Sequence, residues 1–442
     1  MFHVKHSSPH ILLINPWITD FAAYNFWIRP LGLLSVASLL RKCGFEETFI
    51  DCLNFPMKSK KYRDGKLYKT KIEKPLPLKH IPRNYGCYGI PEALLLERFS
   101  SIEKPDLIAV TSGMTYWYPG TFKVIEAAKK FFKNVPVILG GIYATLCYEH
   151  AVRNSGADIV FKGGNEAELL EIISHFTNME FRILQPESRI DKMVYPAFDL
   201  YPQLDYITIL TSRGCPFHCS YCASSVLTKV FTRKDPSEVV EEIEYWTSRY
   251  PVKNIAFYDD ALLIEPSQHI FPILKEVNRR GIRCNFHTPN GLHVKEIDIE
   301  LADLLYRSQF KTIRLGFESS NELTQVETGG KVDNRDFENS VKNLRRAGYP
   351  SKEIGVYIIV GLPGQRVGEV EESISFVKEK GAKPILVEYS PIPGTPLFEK
   401  AKQVSKFDIQ NEPLLQNNSI LPCQWEGLTL EDFERLKERV NA

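Results

Sequence analysis

The sequence predicts an α/β protein made of two successive series of parallel strands and helices. Short runs of consecutive apolar residues, typical of strands buried on both faces, alternate along the chain with segments of helical periodicity. Glycine pairs follow two of these runs, at Gly140–Gly141 and Gly163–Gly164. We therefore expect a doubly wound, Rossmann-like parallel sheet in the N-terminal part, followed by a full or partial (β/α) barrel.

The first series begins with the apolar run Ile11–Ile14, which ends at Asn15–Pro16. A helix is expected over Leu31–Cys43, because Gly44 follows it as a typical C-terminal stop. Further strands are predicted at Phe49–Ile50, Leu107–Val110, Val137–Leu139 and Ile159–Phe161. Further helices are predicted at Thr121–Lys133 and Glu166–Phe176. Ligands of such sheets lie at the C-terminal ends of the strands.

One segment interrupts this alternation. From Met57 to Arg83 the chain carries ten Lys or Arg residues against Asp64 and Glu73, together with three prolines. This composition is typical of a loop or extension outside the core, and we place an insertion at residues 55–98. It could be a lid over an anionic ligand or a solvated insertion, and the composition favours the second.

The second series follows a proline-containing linker. Its strands are predicted at Tyr206–Leu210, Asn254–Tyr258, Cys284–His287, Thr312–Gly316, Gly355–Val360 and Ile385–Tyr389, with helices between them such as Pro236–Arg249 and Asp298–Arg307. A final helix is expected after Thr429, with Asp432 three residues on as its capping partner. The predicted organisation is a Rossmann-like domain, a linker, a partial barrel and a C-terminal helical extension, over residues 1–185, 186–205, 206–400 and 401–442 respectively.

Composition narrows the class of protein. The chain has 442 residues, with 55 Lys and Arg against 54 Asp and Glu, which excludes a strongly basic nucleic-acid binder and an acidic disordered protein. Its nine cysteines form no disulfide scaffold, and reduced thiols indicate a cytoplasmic protein. No apolar window approaches the ~20 residues of a membrane helix, so we expect no membrane span.

The strongest chemical signal is a group of three cysteines just after the first strand of the second series. Cys215, Cys219 and Cys222 have the spacing Cys-x3-Cys-x2-Cys. Thiolates at this density bind a soft metal or an iron–sulfur cluster. A structural zinc site completed by His218 is the alternative, but zinc motifs usually pair two ligand clusters and no second cluster follows.

With this motif, the chain from about Tyr206 to Lys400 resembles the radical S-adenosylmethionine (SAM) superfamily. The resemblance implies that the three cysteines ligate a 4Fe-4S cluster whose open iron binds SAM, and that one electron then cleaves SAM to a 5′-deoxyadenosyl radical. The positions that this resemblance assigns to SAM binding are Tyr221, Asp259, Asp260, Glu318, Ser319, Gly361 and Pro363. Asp259 and Asp260 could instead be a helix-capping pair, and Gln365 stands where many members have Glu.

The chain from about Pro9 to Phe176 resembles the cobalamin-binding domain that is fused to many radical SAM enzymes. The motifs that carry the resemblance lie at residues 29–34, 105–110, 137–141 and 163–166. Small residues after strands let the backbone approach a large cofactor closely. The positions that the resemblance assigns to cobalamin binding are Ser112, Gly113, Met114, Thr115, Tyr116, Trp117, Gly140, Gly141, Gly163, Gly164 and Glu166.

Simple cobalamin domains supply a histidine to cobalt through an Asp-x-His-x-x-Gly motif. None of the ten histidines has Asp two residues before it, so this motif is absent. Tyr116 and Trp117 would then face the lower side of the corrin. Alternatively, the domain has lost cobalamin and only docks the barrel or shapes the substrate site.

Together these resemblances imply a cobalamin-dependent radical SAM methyltransferase. Its cofactors would be a 4Fe-4S cluster, SAM and cobalamin, and methylcobalamin would supply the methyl group to an unactivated carbon after hydrogen abstraction. The substrate is expected to be a small metabolite, lipid or peptide, and the electron donor an external flavodoxin-like or ferredoxin-like protein. The alternatives are a rearrangement or cyclisation that uses cobalamin without methyl transfer, and a non-catalytic metal-stabilised binding module. A methylthiotransferase is disfavoured because the first domain has only isolated cysteines.

Overall fold

A computed structural model of the protein describes residues 8–55, 65–164, 166–177, 179 and 195–441. The chain divides into two units, with the division between Pro202 and Gln203. None of the helices in these described ranges combines the length and apolar character that crossing a membrane requires.

The first unit is built on a parallel sheet of five strands in the order β3-β1-β6-β7-β8. These strands are β1 (His10–Asn15), β3 (Glu46–Asp51), β6 (Leu107–Val110), β7 (Val137–Leu139) and β8 (Ile159–Val160). The helices of the unit are α1 (Leu31–Lys42), α2 (Glu92–Ser100), α3 (Tyr118–Phe131), α4 (Ile142–Leu146), α5 (Tyr148–Asn154) and α6 (Glu166–Thr177). The predicted α/β architecture of this unit is thus confirmed.

Burial on both faces explains why β1 is a continuous apolar run. Ile11 and Leu13 belong to one hydrophobic cluster, with Leu40 of α1. Leu12 and Ile14 point the other way and belong to a second cluster, with Val124 of α3. Alternate side chains of a strand project from opposite faces, so both faces of the sheet carry apolar layers.

The strand order reverses between β1 and β6, because the chain adds β3 on one side of β1 and β6, β7 and β8 on the other. In open α/β sheets, ligands bind outside the C-terminal strand ends at such a reversal. The segments that follow β1 and β6 therefore frame the expected ligand crevice of this unit.

The interpretation of the insertion as a loop outside the core is wrong for its described part. Antiparallel strands β2 (Ile18–Asp20), β5 (Gly86–Tyr88) and β4 (Lys69–Lys71) form a separate sheet in that order. Leu67 and Tyr88 are buried against Ile18. The sequence prediction missed these apolar residues because Lys and Arg dominate the composition of the segment. Its most basic stretch, with Lys58, Lys60 and Lys61, lies outside the described residues.

The described end of the linker packs on the first unit. Ser38 donates a hydrogen bond to the carbonyl oxygen of Tyr195 at 2.6 Å. The Tyr201 hydroxyl donates to the buried carboxylate of Asp51 at 2.6 Å, and the Arg29 guanidinium lies 3.7 Å from the centroid of the Tyr201 ring.

The second unit contains six parallel strands in sequential order, from β9 to β16. They are β9 (Tyr206–Ile209), β12 (Asn254–Phe257), β13 (Asn285–His287), β14 (Phe310–Glu318), β15 (Ile354–Val360) and β16 (Lys383–Glu388), and a short hairpin is made by β10 (Ser212–Arg213) and β11 (Thr232–Arg233). The first and last strands are the edges of this sheet, so the fold is a partial (β/α) barrel, as predicted.

Helices follow the strands of the barrel. They are α7 (Ser224–Leu227), α8 (Pro236–Arg249), α9 (Ile270–Arg279), α10 (Ile299–Arg307), α11 (Glu322–Glu327), α12 (Asn334–Ala347), α13 (Val367–Glu379), α14 (Pro396–Val404) and α15 (Leu430–Asn441). The predicted cap of the last helix is confirmed, because the Asp432 N–H donates to the Thr429 hydroxyl and the Thr429 N–H donates to the Asp432 carboxylate.

Candidate active site

The three cysteines lie on a loop at the C-terminal edge of the barrel sheet. Strands β10 and β11 pair at the base of this loop, at residues 212–213 and 232–233. The Lys234 N–H donates to the Thr211 carbonyl oxygen at 2.8 Å and extends this closure. The loop therefore leaves and rejoins the barrel at one fixed point.

The carboxylate of Asp259 anchors the same point from the end of β12. Its Oδ1 accepts hydrogen bonds from the backbone N–H and hydroxyl groups of both Thr211 and Ser212, at 2.6 to 2.9 Å. Its Oδ2 is buried and has no hydrogen-bond partner among the described residues. Burial raises the pKa of Asp259 to about 6, although these hydrogen bonds act in the opposite direction. Asp259 thus holds the base of the cysteine loop through Oδ1.

Asp260 contacts the other side of the cysteine loop. Its Oδ2 accepts a hydrogen bond from the Ser224 hydroxyl, two residues beyond Cys222. Burial raises the pKa of Asp260, and the Ser224 hydrogen bond partly offsets this effect. Neither aspartate caps any of the helices that the structure describes, so the helix-capping alternative is wrong for this pair.

The tip of the loop is held by the chain that follows β14. Ser220 donates from its N–H to the Thr328 carbonyl oxygen at 3.2 Å, and from its hydroxyl to the Glu327 carbonyl oxygen at 3.0 Å. The Leu397 N–H at the start of α14 donates to the Ser220 carbonyl oxygen at 2.9 Å. Backbone groups at the end of α11 and at the start of α14 therefore fix the segment between the second and third cysteines.

The three thiols suit a cluster as a donor set. All three are free, and burial raises the pKa of Cys215 to about 11 and also raises that of Cys219. Cationic iron would offset this cost, because a coordinated thiol is deprotonated. In the described ranges no three His, Cys, Asp or Glu side chains converge tightly enough for a single ion, and the side chain of His218 is exposed. The zinc alternative receives no support from this arrangement.

Glu318, Tyr221 and Lys331 form a buried polar group beside the cysteines. The Tyr221 hydroxyl donates to Glu318 Oε1 at 3.0 Å, and the Lys331 ammonium donates to the same oxygen at 2.8 Å and to the Tyr221 hydroxyl at 2.9 Å. Burial and the Glu318 charge raise the pKa of Tyr221 well above 10, so Tyr221 stays protonated. The sequence assigned Tyr221 and Glu318 to SAM but missed Lys331.

The backbone at Glu318 is unusual. Its φ of 71° is in the left-handed region, and the register between β14 and β15 shifts between Gly316 and Glu318. Strain of this kind concentrates at functional sites, and the bulge re-aims the Glu318 side chain at the end of its strand.

The remaining positions assigned to SAM have structural partners. Ser319 is buried, and its hydroxyl accepts a hydrogen bond from the Asn321 N–H at the start of α11. Gly361 has φ 91°, and its N–H donates to Gln365 Oε1 at 2.8 Å. Because Gln365 Nε2 also donates to the Ile359 carbonyl oxygen at 3.0 Å, Gln365 fixes the turn around the half-buried Pro363.

In the first unit, Ser112 and Gly141 join the ends of β6 and β7. The Ser112 hydroxyl donates to the Gly140 carbonyl oxygen at 2.6 Å, and the Ile142 N–H donates to the Ser112 carbonyl oxygen at 2.9 Å. Gly141 has φ 96°, and a Cβ there would lie 2.4 Å from the Ser112 carbonyl oxygen. Only glycine allows this close approach of the two strand ends.

The segment after β6 carries the other predicted contacts. Trp117 is partly exposed, and its indole N–H donates to the buried carboxylate of Asp20 at 2.8 Å, a partner that the sequence analysis missed. Gly113 lies against the Trp117 ring, where an added Cβ would be 2.8 Å away. Tyr116 is buried and Met114 is 44% exposed. Of the two predicted aromatic residues, Trp117 is thus the more accessible, and Thr115 is buried.

The end of β8 is open. Gly163 and Gly164 have φ values of 83° and 107°, and a Cβ at Gly164 would meet no atom of the described residues within 4 Å. The Thr145 hydroxyl donates to the carbonyl oxygen of Lys162 at 2.7 Å and holds this turn, while Glu166 is the first residue of α6. Together with the glycines after β7, this edge is the position that the sequence predicts for cobalamin.

Comparison with known proteins identifies both units. Residues 209–377 match the family model described as the radical SAM superfamily, and residues 93–172 match the B12 binding domain. The second unit therefore contains a radical SAM domain, and the first unit contains a B12 binding domain. It is a radical SAM enzyme, and these domains define its cofactors as a 4Fe-4S cluster, SAM and cobalamin.

The sequences of several curated relatives align with most of this chain. An uncharacterised methyltransferase, PH0819, of Pyrococcus horikoshii is 25% identical over 78% of this chain and 77% of its own length. Bacteriochlorophyllide d C-12(1)-methyltransferase of Chlorobaculum tepidum is 25% identical over 69% and 67%. Anaerobic magnesium-protoporphyrin IX monomethyl ester cyclase of Rubrivivax gelatinosus is 22% identical over 70% and 60%.

A solved structure shares the fold of this chain. The radical SAM methyltransferase TsrM from Kitasatospora setae, solved with cobalamin and a [4Fe-4S] cluster, has a TM-score of 0.66 at 17% identity. The match covers 91% of this chain and 76% of TsrM.

Proposed function

We propose that the protein transfers a methyl group from cobalamin to an unactivated carbon of a small metabolite, lipid or peptide. The observation that carries this proposal is the combination of a radical SAM domain and a B12 binding domain in a chain similar to proteins named methyltransferases. The cofactors supply the methyl group and the hydrogen-abstracting radical.

The residues of the chain position these cofactors. Cys215, Cys219 and Cys222 would hold the cluster, and Tyr221 and Glu318 would contact SAM. Asp259 keeps the loop that carries the cysteines attached to the barrel edge. Cobalamin would lie at the C-terminal edge of the first sheet, along the glycines after β7 and β8.

The electron balance requires an external reductant. Each methyl transfer of this type would use one SAM as methyl donor and a second SAM that one electron cleaves to methionine and the 5′-deoxyadenosyl radical. The radical would take a hydrogen atom from the substrate to give 5′-deoxyadenosine, and the external donor would supply a second electron to return cobalamin to the form that accepts the next methyl group. We propose a flavodoxin-like or ferredoxin-like protein as the donor.

The test uses the cluster-loaded and cobalamin-loaded protein under anaerobic conditions. SAM that carries a deuterated methyl group is added with dithionite as reductant, and the cobalamin is analysed by mass spectrometry. We expect the deuterated methyl group on cobalamin and 5′-deoxyadenosine in solution. Protein loaded with the cluster alone is the control, and it should give no labelled corrinoid.

A second candidate function is a radical cyclisation or rearrangement without methyl transfer. The similarity to the magnesium-protoporphyrin ester cyclase favours it. In the same experiment this function predicts 5′-deoxyadenosine without deuterated methyl on cobalamin. That result would overturn the methyl-transfer proposal.

A further inference from the structure

The chain after α11 packs directly on one cluster cysteine. Gly329 has φ 125°, and a Cβ at this position would lie 3.0 Å from Cys219 Cα and 3.5 Å from its Sγ. The N–H of Gly330 donates to the Gln325 carbonyl oxygen at 2.8 Å and closes the turn. Lys331 follows immediately, so its backbone is fixed relative to the cysteine loop.

The ammonium group of Lys331 occupies a confined position. It is 2.8 Å from Glu318 Oε1, 2.9 Å from the Tyr221 hydroxyl oxygen and 5.6 Å from the centre of the Tyr221 ring. A Cβ on Gly316 would be 3.3 Å from the Lys331 Nζ and 3.2 Å from Glu318 Oε1. Glycine in β14 thus leaves room for the ion pair.

Water does little to screen this charge. The Lys331 side chain is 14% exposed and the Glu318 side chain 11%. The effective dielectric constant in such a place is lower than in water, so charges interact more strongly. Lys331 also interacts electrostatically with Cys219 and Cys222.

We propose that Lys331 is a positioning residue that tunes the reduction potential of the cluster. Its buried ammonium group holds Glu318 against Tyr221 of the cysteine loop and places a positive charge next to the thiolates. Reduction adds one electron to the cluster from the external donor, and no bond forms or breaks in this step. The positive charge stabilises the reduced cluster, whereas the Glu318 carboxylate destabilises it.

The experiment compares the midpoint potential of the cluster in three proteins, each differing from the previous one by a single substitution. Reconstituted wild-type, Glu318→Gln and Glu318→Gln/Lys331→Met proteins are titrated with dithionite at neutral pH without SAM, and the reduced cluster is measured by electron paramagnetic resonance. Glu318→Gln should raise the potential because it removes a negative charge. Adding Lys331→Met should lower it again, since Lys331 is the remaining charge of the pair.

Two further variants separate charge from packing. Lys331→Arg keeps the charge and should restore a potential close to that of the wild type. Lys380 is the matched control, because it pairs with Glu338 at 2.7 Å and lies over the Phe376 ring at 5.1 Å, but precedes β16 at the opposite end of the strands. Lys380→Met should leave the potential unchanged.

The signs of these shifts decide the proposal. A purely structural role would move the potential in the same direction in every variant that perturbs the pair, or not at all. The proposal is overturned if Lys331→Met leaves the potential of the Glu318→Gln protein unchanged while the iron content is equal. A variant that loses its iron is replaced by Lys331→Gln, which is judged by the same criterion. The potential is measured without substrate, so the result is independent of whether the enzyme transfers methyl groups.

Discussion

Replacing Asp259 should release the base of the cysteine loop. Asp259→Leu removes the acceptor of four hydrogen bonds. The two hydroxyl groups can turn to other acceptors, and that of Thr211 already lies 2.7 Å from His269 Nε2. The backbone N–H groups of Thr211 and Ser212 cannot turn. Each buried unsatisfied group costs about 1–3 kcal/mol, so we expect local destabilisation of about 4 kcal/mol.

Hydrogen exchange measures the destabilisation at individual backbone amides. This suits a chain of two units, because a global unfolding measurement would combine the stabilities of both. At pH values well below about 6, where the Asp259 carboxyl of the folded protein is protonated and carries no charge cost, the protection of the Thr211 and Ser212 amides should fall by a factor on the order of 1,000, because each 1.4 kcal/mol is about tenfold. Asp333→Leu is the control, since it removes one exposed cap of α12 that accepts from the Asp336 N–H, and should cost about 1 kcal/mol there. Unchanged protection of Thr211 and Ser212 in Asp259→Leu would refute the anchoring role.

The same aspartate predicts a dependence on pH. Burial raises its pKa from 3.8 to about 6 in the folded protein, which corresponds to about 3 kcal/mol. Below pH 3.8 the Asp259 carboxyl is protonated in both the folded and the unfolded state, so the free-energy cost of burying its charge is absent. As the pH rises through this window the unfolded chain ionises first, and above about 6 the folded protein carries the full cost. Asp259→Asn keeps an acceptor oxygen without the charge, so its unfolding free energy should lack this step.

Further changes test the two cofactor sites. Replacing Cys215, Cys219 and Cys222 together by Ala should abolish iron binding and the visible absorbance of the reconstituted protein. An unchanged iron content in this triple variant would contradict the assignment of the cluster ligands. Gly141→Ala should reduce cobalamin retention by forcing apart the ends of β6 and β7, whereas Gly156→Ala, with φ 71° and no atom within 4 Å of the added Cβ, should cost only the backbone strain of about 1–2 kcal/mol. Equal retention in both variants would contradict the close-approach argument. Paramagnetic resonance of bound cob(II)alamin should be insensitive to isotopic labelling of the histidine nitrogens, and a labelled splitting would show an axial histidine.

Local patterns allowed much of the fold to be predicted. The run Ile11–Ile14 indicates a strand buried on both faces, because adjacent residues of one strand enter opposite clusters. The Thr429 and Asp432 pair was also recognisable, since a capping box needs only residues three apart. The insertion was misjudged because its charges outnumber the few apolar residues, including Leu67 and Tyr88, that bury its sheet.

The sequence by itself determined which chemistry is available, and the tertiary structure decided how it is arranged. The spacing of three cysteines within eight residues is a local property of the sequence, and it predicts an iron–sulfur cluster site. Lys331 and Glu318 are separated by a turn and a short helix, and both are far along the chain from Tyr221, so only the folded partial barrel brings the three side chains within hydrogen-bond distance. Asp20 and Trp117 likewise meet only after β2 has folded beside the segment that follows β6. Such contacts depend on the pairing of strands that are far apart in the sequence, and local sequence patterns do not predict this pairing.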